Sequence, residues 1–102
     1  MLKRPIFVVI FFTLFTGGCV GPKPLKDYVL SHQAMVYAKR SEADVIANSW
    51  FSKAEDTYQQ AEIAWANSEH DRAKKLFIKA RRYFERAENM AKVQKFKTGD
   101  GP

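Results

Sequence analysis

Few side chains in this sequence could do covalent chemistry, and the most informative of them is the single cysteine, Cys19. It follows Gly17 and Gly18, which come after a segment without charge that runs from residue 6 to residue 15. The two basic residues of MLKR precede that segment. A short basic stretch, about ten apolar residues and then small residues form the layout of a secretory signal peptide. Because a membrane-spanning helix needs roughly 20 apolar residues, we expect an export signal here and not a spanning helix.

The residues LFTGGCV, at positions 14–20, resemble the lipobox of bacterial lipoproteins. The resemblance implies that the Cys19 thiol receives a diacylglycerol, that the chain is cut before it, and that the new amino terminus is acylated. Gly17 and Gly18 are small, as the family requires, whereas Thr16 stands where the family prefers Leu. Val20 follows in place of an acidic residue, which by analogy with sorting in Gram-negative bacteria favours the outer membrane. Ordinary signal cleavage and an uncleaved anchor stay open as alternatives.

The rest of the sequence contains no other cysteine, so no disulfide can form within the chain. An unmodified thiol is a liability in an oxidising compartment, which also favours lipid on Cys19. Two or three acyl chains hold a protein to a bilayer far more firmly than one does. We therefore expect a covalent lipid and no other cofactor.

Composition divides the chain into four parts. We predict a lipoprotein signal peptide over 1–18, a lipidated cysteine and tether over 19–25, a helical domain over 26–97 and a disordered tail over 98–102. The tether contains two prolines and a glycine, whereas residues 25–97 contain neither residue type. Such a stretch, rich in Ala, Lys, Glu, Arg and Gln, favours helix throughout.

The spacing of apolar residues predicts an all-α fold, a small three-helix bundle in which an antiparallel helical hairpin follows a leading helix. The third segment begins near Glu69 and has a heptad stripe of alternating Ala and Phe. The second segment carries large aromatic residues and Ala on one face. These two stripes consist of Ala73, Phe77, Ala80, Phe84, Ala87 and Ala91, and of Trp50, Ala54, Tyr58, Ala61 and Trp65.

The first segment, about 26–47, is apolar on two sides, which indicates packing from both sides or self-association. A bundle of this size is marginal alone, so a homo-oligomer or a partner would stabilise it. The broader of its two apolar sides is predicted to comprise Leu25, Tyr28, Val29, Met35, Val36, Ala43 and Ile46.

The hairpin resembles the α-hairpins of tetratricopeptide-like repeats, although that repeat's tryptophan, glycine and closing proline are missing. A closer resemblance is to small bacterial lipoproteins with an Ala-spaced helical domain of unknown function. That resemblance covers about 27–91 and implies this fold and a role in the cell envelope, without identifying a site. It is carried by Trp50, Phe51, Ala54, Tyr58, Ala61, residues 70–73 (HDRA), Ala80 and Ala87.

Positive charge is concentrated in the third segment, where ten Lys and Arg stand against two Glu between residues 72 and 97. Four of the cations share the face opposite the Ala/Phe stripe: Lys75, Lys79, Arg82 and Arg86. This face is either an ordinary solvated surface or a site for anionic headgroups, lipopolysaccharide phosphates, peptidoglycan carboxylates or an acidic protein. The positive charge would also suit nucleic acid, but an exported protein is not expected to meet nucleic acid, so we predict no such partner. Ile78 and Phe96 also point away from the stripe and are candidate exposed apolar contacts.

The remaining side chains that could bind a metal or take part in catalysis do not indicate a site. His32 lies on the apolar side of the first segment, where a satisfied buried or boundary histidine is expected, and His70 lies at the hairpin turn. Neither belongs to a pattern with metal-ligand spacing, and no nucleophile elbow or phosphate loop is present. We therefore predict no metal site and no enzymatic activity.

Together these features predict a lipoprotein of the bacterial outer membrane that faces the periplasm. It would act as a non-enzymatic interaction or scaffold module that contacts an envelope protein or peptidoglycan. Two alternatives remain: a pilotin-like lipoprotein that escorts a secretin or another envelope subunit, and an inhibitor of an envelope enzyme.

Overall fold

The computed structural model of the chain describes residues 23–99. Within them the protein is all-α, as predicted, with helices α1 (Leu25–Arg40), α2 (Ala43–Ile46), α3 (Asn48–Ala66) and α4 (His70–Thr98). The predicted signal peptide, Cys19, the tether up to residue 22 and the last three residues of the predicted tail lie outside the described residues.

Helix α4 is the element on which the others pack, since both α1 and α3 contact it extensively. At about 1.5 Å per residue its 29 residues extend roughly 43 Å. The heptad stripe predicted from its spacing is confirmed as the buried face, since each member is 0% exposed. Phe77 and Phe84 are the largest fully buried side chains, and alanines separate them. This alternation lets the neighbouring helices approach closely between the rings.

Helix α3 runs antiparallel to α4 and contributes the aromatic partners of its phenylalanines. Phe51 meets Phe84 edge to face, with ring centroids 5.4 Å apart. Tyr58 lies between the two phenylalanines, 5.5 Å from Phe77 and 6.2 Å from Phe84. Ala54 and Ala61 are fully buried, as the predicted stripe required, whereas Trp50 and Trp65 are only partly buried at its two ends.

Helix α1 runs parallel to α4, because Tyr28 contacts Phe77 near one end while Glu42 pairs with Lys95 at the other. Its buried residues are Ser31, Ala34 and Ala38. Of the broad apolar stripe predicted from the sequence, Tyr28, Met35 and Ile46 are partly buried against the core and Ala43 is fully buried. Leu25 and Val29 from that stripe are exposed. Small side chains allow α1 to lie close against α4. The buried Ser31 hydroxyl donates to the Tyr28 carbonyl oxygen at 2.9 Å, so it keeps a hydrogen-bond partner.

The first segment is not one helix, because the chain turns at Glu42, which takes the left-handed conformation (φ 61°). The short α2 follows, and its Ala43 is fully buried. Left-handed backbone is usually a position for glycine, so the sequence carries no signal for this break. The break lets Ala43 and Ala47 join the core beyond the end of α1.

The α3–α4 turn is a Schellman motif centred on Ser68, which is also left-handed (φ 61°). The Glu69 amide donates to the Ala64 carbonyl at 2.8 Å, and the Ser68 amide donates to the Trp65 carbonyl at 2.9 Å. These two bonds satisfy carbonyl groups at the end of α3 and reverse the chain in a few residues.

Replacing Ser68 with glycine is expected to stabilise the protein. Glycine adopts this conformation without the steric cost that a β-carbon brings, and Ser68 is exposed. We expect Ser68→Gly to raise the free energy of unfolding by roughly 0.5–1 kcal/mol in urea denaturation followed by circular dichroism. The matched control is Ser52→Gly, at an exposed interior position of α3, which should lower it by about the same amount. Destabilisation by both glycines would contradict the assigned turn.

Candidate binding surface

Beyond the first turn of α4, its acidic residues lie on the side next to α1. Glu85 accepts a hydrogen bond from Arg81 at 2.8 Å, and Glu88 pairs with Lys92 at 3.0 Å. Arg81, Glu85 and Glu88 line a groove with residues of α1. Both acidic residues of α4 beyond its first turn are therefore already paired with cations of the same helix.

The side of α4 that points away from its buried stripe carries a row of cations, and one acidic residue, Asp71 of the first turn, lies four residues before Lys75. Lys75, Lys79, Arg82 and Arg86 are all exposed, and spacings of 4, 3 and 4 place them along one line. Among the described residues, none of them forms an ion pair within 4.0 Å, in contrast to Arg72, Arg81, Lys92 and Lys95. The structure thus brings together the four cations that the sequence singled out. The same line continues through Met90, Val93 and Lys97, and these seven residues are called the outer face of α4.

An aromatic pair borders this face where α3 begins. The rings of Trp50 and Tyr83 lie 5.8 Å apart and are half-buried. Lys53 places its ammonium 5.2 Å from the Trp50 ring centroid and 4.9 Å from that of Tyr83. The Arg86 guanidinium lies 4.7 Å from Trp50, and the Lys79 ammonium lies 5.9 Å from Tyr83. Each such contact contributes roughly 0.5–1 kcal/mol at an exposed site and holds the cation in place.

Sequence reasoning missed this aromatic–cation cluster. The sequence placed Trp50 in the aromatic stripe of the second segment and gave no role to Lys53. The spacing between Trp50 and Lys53, three residues on one helix, was readable as a contact. The contacts of Arg86 with Trp50 and of Lys53 with Tyr83 join two helices, so they depend on the register of α3 against α4 and cannot be derived from spacing alone.

The two candidate apolar contacts differ in exposure. Phe96 is 79% exposed, as expected, whereas Ile78 is partly buried. Met90 and Val93, which the sequence analysis did not single out, are 49% and 53% exposed and lie directly on the outer face. They lie beyond Arg86, which already contacts Trp50 near the start of α3. Apolar side chains therefore interrupt the cationic line in its second half.

The histidines take no part in this surface. His32, expected at a buried or boundary position, is exposed, and its ring stacks on Tyr28 with centroids 6.1 Å apart. Its Nδ1 is 3.5 Å from the Tyr58 hydroxyl. His70 is half-buried at the first residue of α4. Within residues 23–99, no group of three or more His, Cys, Asp or Glu side chains is placed to hold a metal ion.

Comparison with protein-family models, with curated proteins and with solved structures finds no match to this chain. Of the helices in the described part of the chain, none has the length and apolarity needed to cross a membrane.

The surroundings of Tyr58 shift the titration of its hydroxyl. Burial raises the pKa of its hydroxyl above the ordinary value, and a hydrogen bond with the Tyr28 side chain and the charge of Glu62 act in the same direction. The folded protein therefore holds this proton more tightly than the unfolded chain does. Stability linked to Tyr58 is complete below pH 10.0, the ordinary pKa, and is lost as the pH rises above it.

Replacing Tyr58 with phenylalanine should reduce the loss of stability at alkaline pH. Between about pH 9 and about pH 11 we expect the wild-type free energy of unfolding to fall by about 1 kcal/mol more than that of Tyr58→Phe. Urea denaturation at the two pH values measures the difference. Tyr37→Phe, at an exposed tyrosine, is the control and should follow the wild type. Identical alkaline losses in wild type and Tyr58→Phe would show that Tyr58 does not titrate as described.

Proposed function

We propose that the protein is a lipid-anchored, non-enzymatic interaction module of the bacterial cell envelope, held at the outer membrane and facing the periplasm. The observation that carries the proposal is the position of Cys19. It ends a lipobox-like segment and stands only a few residues before Leu25, where α1 begins. Residues 20–24 span at most about 18 Å when fully extended, so an anchor at Cys19 holds the helices against the bilayer.

The charge distribution of α4 supports a binding role. Beyond the first turn of α4, the acidic residues pair with cations on the side towards α1, so the outer face presents cations that form no ion pair with a described residue. Such a surface attracts anionic partners over a distance of about 8 Å at physiological ionic strength. The side-chain hydrogen bonds of the described residues mostly join positions three or four apart on one helix, and the cations are spread along α4. An extended row of exposed cations is suited to binding an anionic partner.

The anchor is tested by replacing the cysteine. In cells fed an alkyne-bearing fatty acid, we expect the wild-type protein to become labelled and its mature form to begin at an acylated Cys19. Cys19→Ser should lose the label and remain unprocessed, because the thiol is the acceptor. Intact-mass measurement of the purified protein reads both changes.

Gly18→Ala is the matched control, because it keeps a small residue beside the cleavage site and should be labelled and processed like the wild type. A wild-type protein that carries no label and has an unmodified Cys19 would overturn the proposed anchor.

A further inference from the structure

We infer that the outer face of α4 is a docking surface for an anionic phospholipid bilayer, on which the helix lies lengthwise. This inference rests on the proposed function only for bringing the domain next to a membrane. Everything else in it comes from the described side chains of α3 and α4.

The first support is the geometry of the cations. Lys75 and Arg86 are 11 residues apart, which is about 16 Å along the axis, and Lys97 extends the line to about 33 Å. All of these residues are exposed and project from one side of a single helix. A bilayer offers a broad layer of phosphates that can meet every cation along such a line at once. An acidic protein would need carboxylates at matching intervals over the same length.

The second support is the apolar and aromatic content of this face. Met90 and Val93 lie between Arg86 and Lys97 and are about half exposed, at 49% and 53%. Amphipathic helices place such residues just below the headgroups while neighbouring Lys and Arg contact phosphates. Trp50 and Tyr83, at the edge of the face, belong to the residue types that concentrate at membrane–water interfaces.

The third support is the contrast between the two sides of α4. Arg81 and Lys92 are ion-paired on the side towards α1, whereas the outer cations contact only aromatic rings or no described partner. A contact with a ring leaves the charge of Lys79 or Arg86 uncompensated. Anionic lipid supplies the missing negative charge, and each basic residue near such a surface strengthens binding roughly fivefold.

The acylated protein, reconstituted into lipid vesicles, allows the orientation of the domain to be measured apart from its anchoring. The chain has two tryptophans, and only Trp50 borders the outer face, since Trp65 packs against Tyr28 and Phe77. Trp65→Phe leaves Trp50 as the sole reporter, and Trp50→Phe leaves Trp65. A nitroxide attached to the lipid headgroup quenches a tryptophan that lies close to the membrane surface.

In vesicles containing phosphatidylglycerol we expect the nitroxide to quench Trp50 at least twice as strongly as Trp65. The difference should disappear in pure phosphatidylcholine vesicles, and also when the salt concentration is raised from about 0.05 M to about 0.5 M. Equal quenching of the two tryptophans in the anionic vesicles at low salt would overturn the inference.

Two variants with equal net charge separate the outer face from total charge. Neutralising the outer cations, Lys75→Gln, Lys79→Gln, Arg82→Gln and Arg86→Gln, should abolish the preferential quenching of Trp50. The matched variant neutralises two lysines and two arginines that are ion-paired: Arg72→Gln, Arg81→Gln, Lys92→Gln and Lys95→Gln. It should retain the preference. Circular dichroism establishes that both variants are helical, and an equal loss in both would overturn the inference.

A failure of the proposed anchor can be distinguished from a failure of the docking surface, because the intact mass of the same sample reports whether Cys19 is acylated. If the protein carries no acyl chain, flotation with anionic vesicles replaces reconstitution. Binding that the outer-face variant loses and the matched variant keeps then still supports the docking surface. Flotation that does not depend on the outer cations would contradict it. An acidic protein as the true partner predicts this second outcome.

Discussion

Contact between the rings of Phe77 and its neighbours is the interaction on which the rest of the fold depends. Phe77 is fully buried and meets Tyr28 of α1 at 5.5 Å and both Tyr58 and Trp65 of α3 at 5.5 and 5.8 Å. One side chain of α4 therefore joins all three long helices. With alanine on either side of each phenylalanine, the core is narrow, and its stability depends on a few aromatic contacts more than on bulk aliphatic packing.

Because one side of α4 is buried in the bundle, its opposite side is the one that can carry exposed charged residues. Because the Ala/Phe stripe faces both α1 and α3, the opposite side stays in solvent along the helix, where unpaired cations cost little. The acidic residues Glu85 and Glu88 stand beside α1, paired with Arg81 and Lys92. Helix α4 therefore contributes the buried stripe on which α1 and α3 pack and, on its opposite side, the exposed cations of the outer face. The proposed anchor at Cys19 would keep that surface within a short distance of a membrane.

The parts of this arrangement that repeat with the helical period could be predicted from the sequence. The buried stripe of α4 and the cations Lys75 to Arg86 follow from spacing alone. The packing of α1 could be predicted only in part, because its buried face consists of the small residues Ser31, Ala34 and Ala38, and hydrophobicity does not distinguish that face from the broader apolar side. The break at Glu42 could not be predicted either, because a residue other than glycine adopts the left-handed conformation there. The cluster at Trp50 depends on contacts between two helices, which spacing does not reveal.

The most direct test of this account is the stability of Phe77→Ala compared with Phe96→Ala, which removes the same ring from a site that is 79% exposed. We expect Phe77→Ala to lower the free energy of unfolding by about 3–5 kcal/mol and Phe96→Ala by less than about 0.5 kcal/mol. Because the first variant can leave the chain unfolded, Phe77→Leu is measured as well and should lose roughly 1–2 kcal/mol. Equal, small losses for Phe77→Ala and Phe96→Ala would contradict the central place of Phe77.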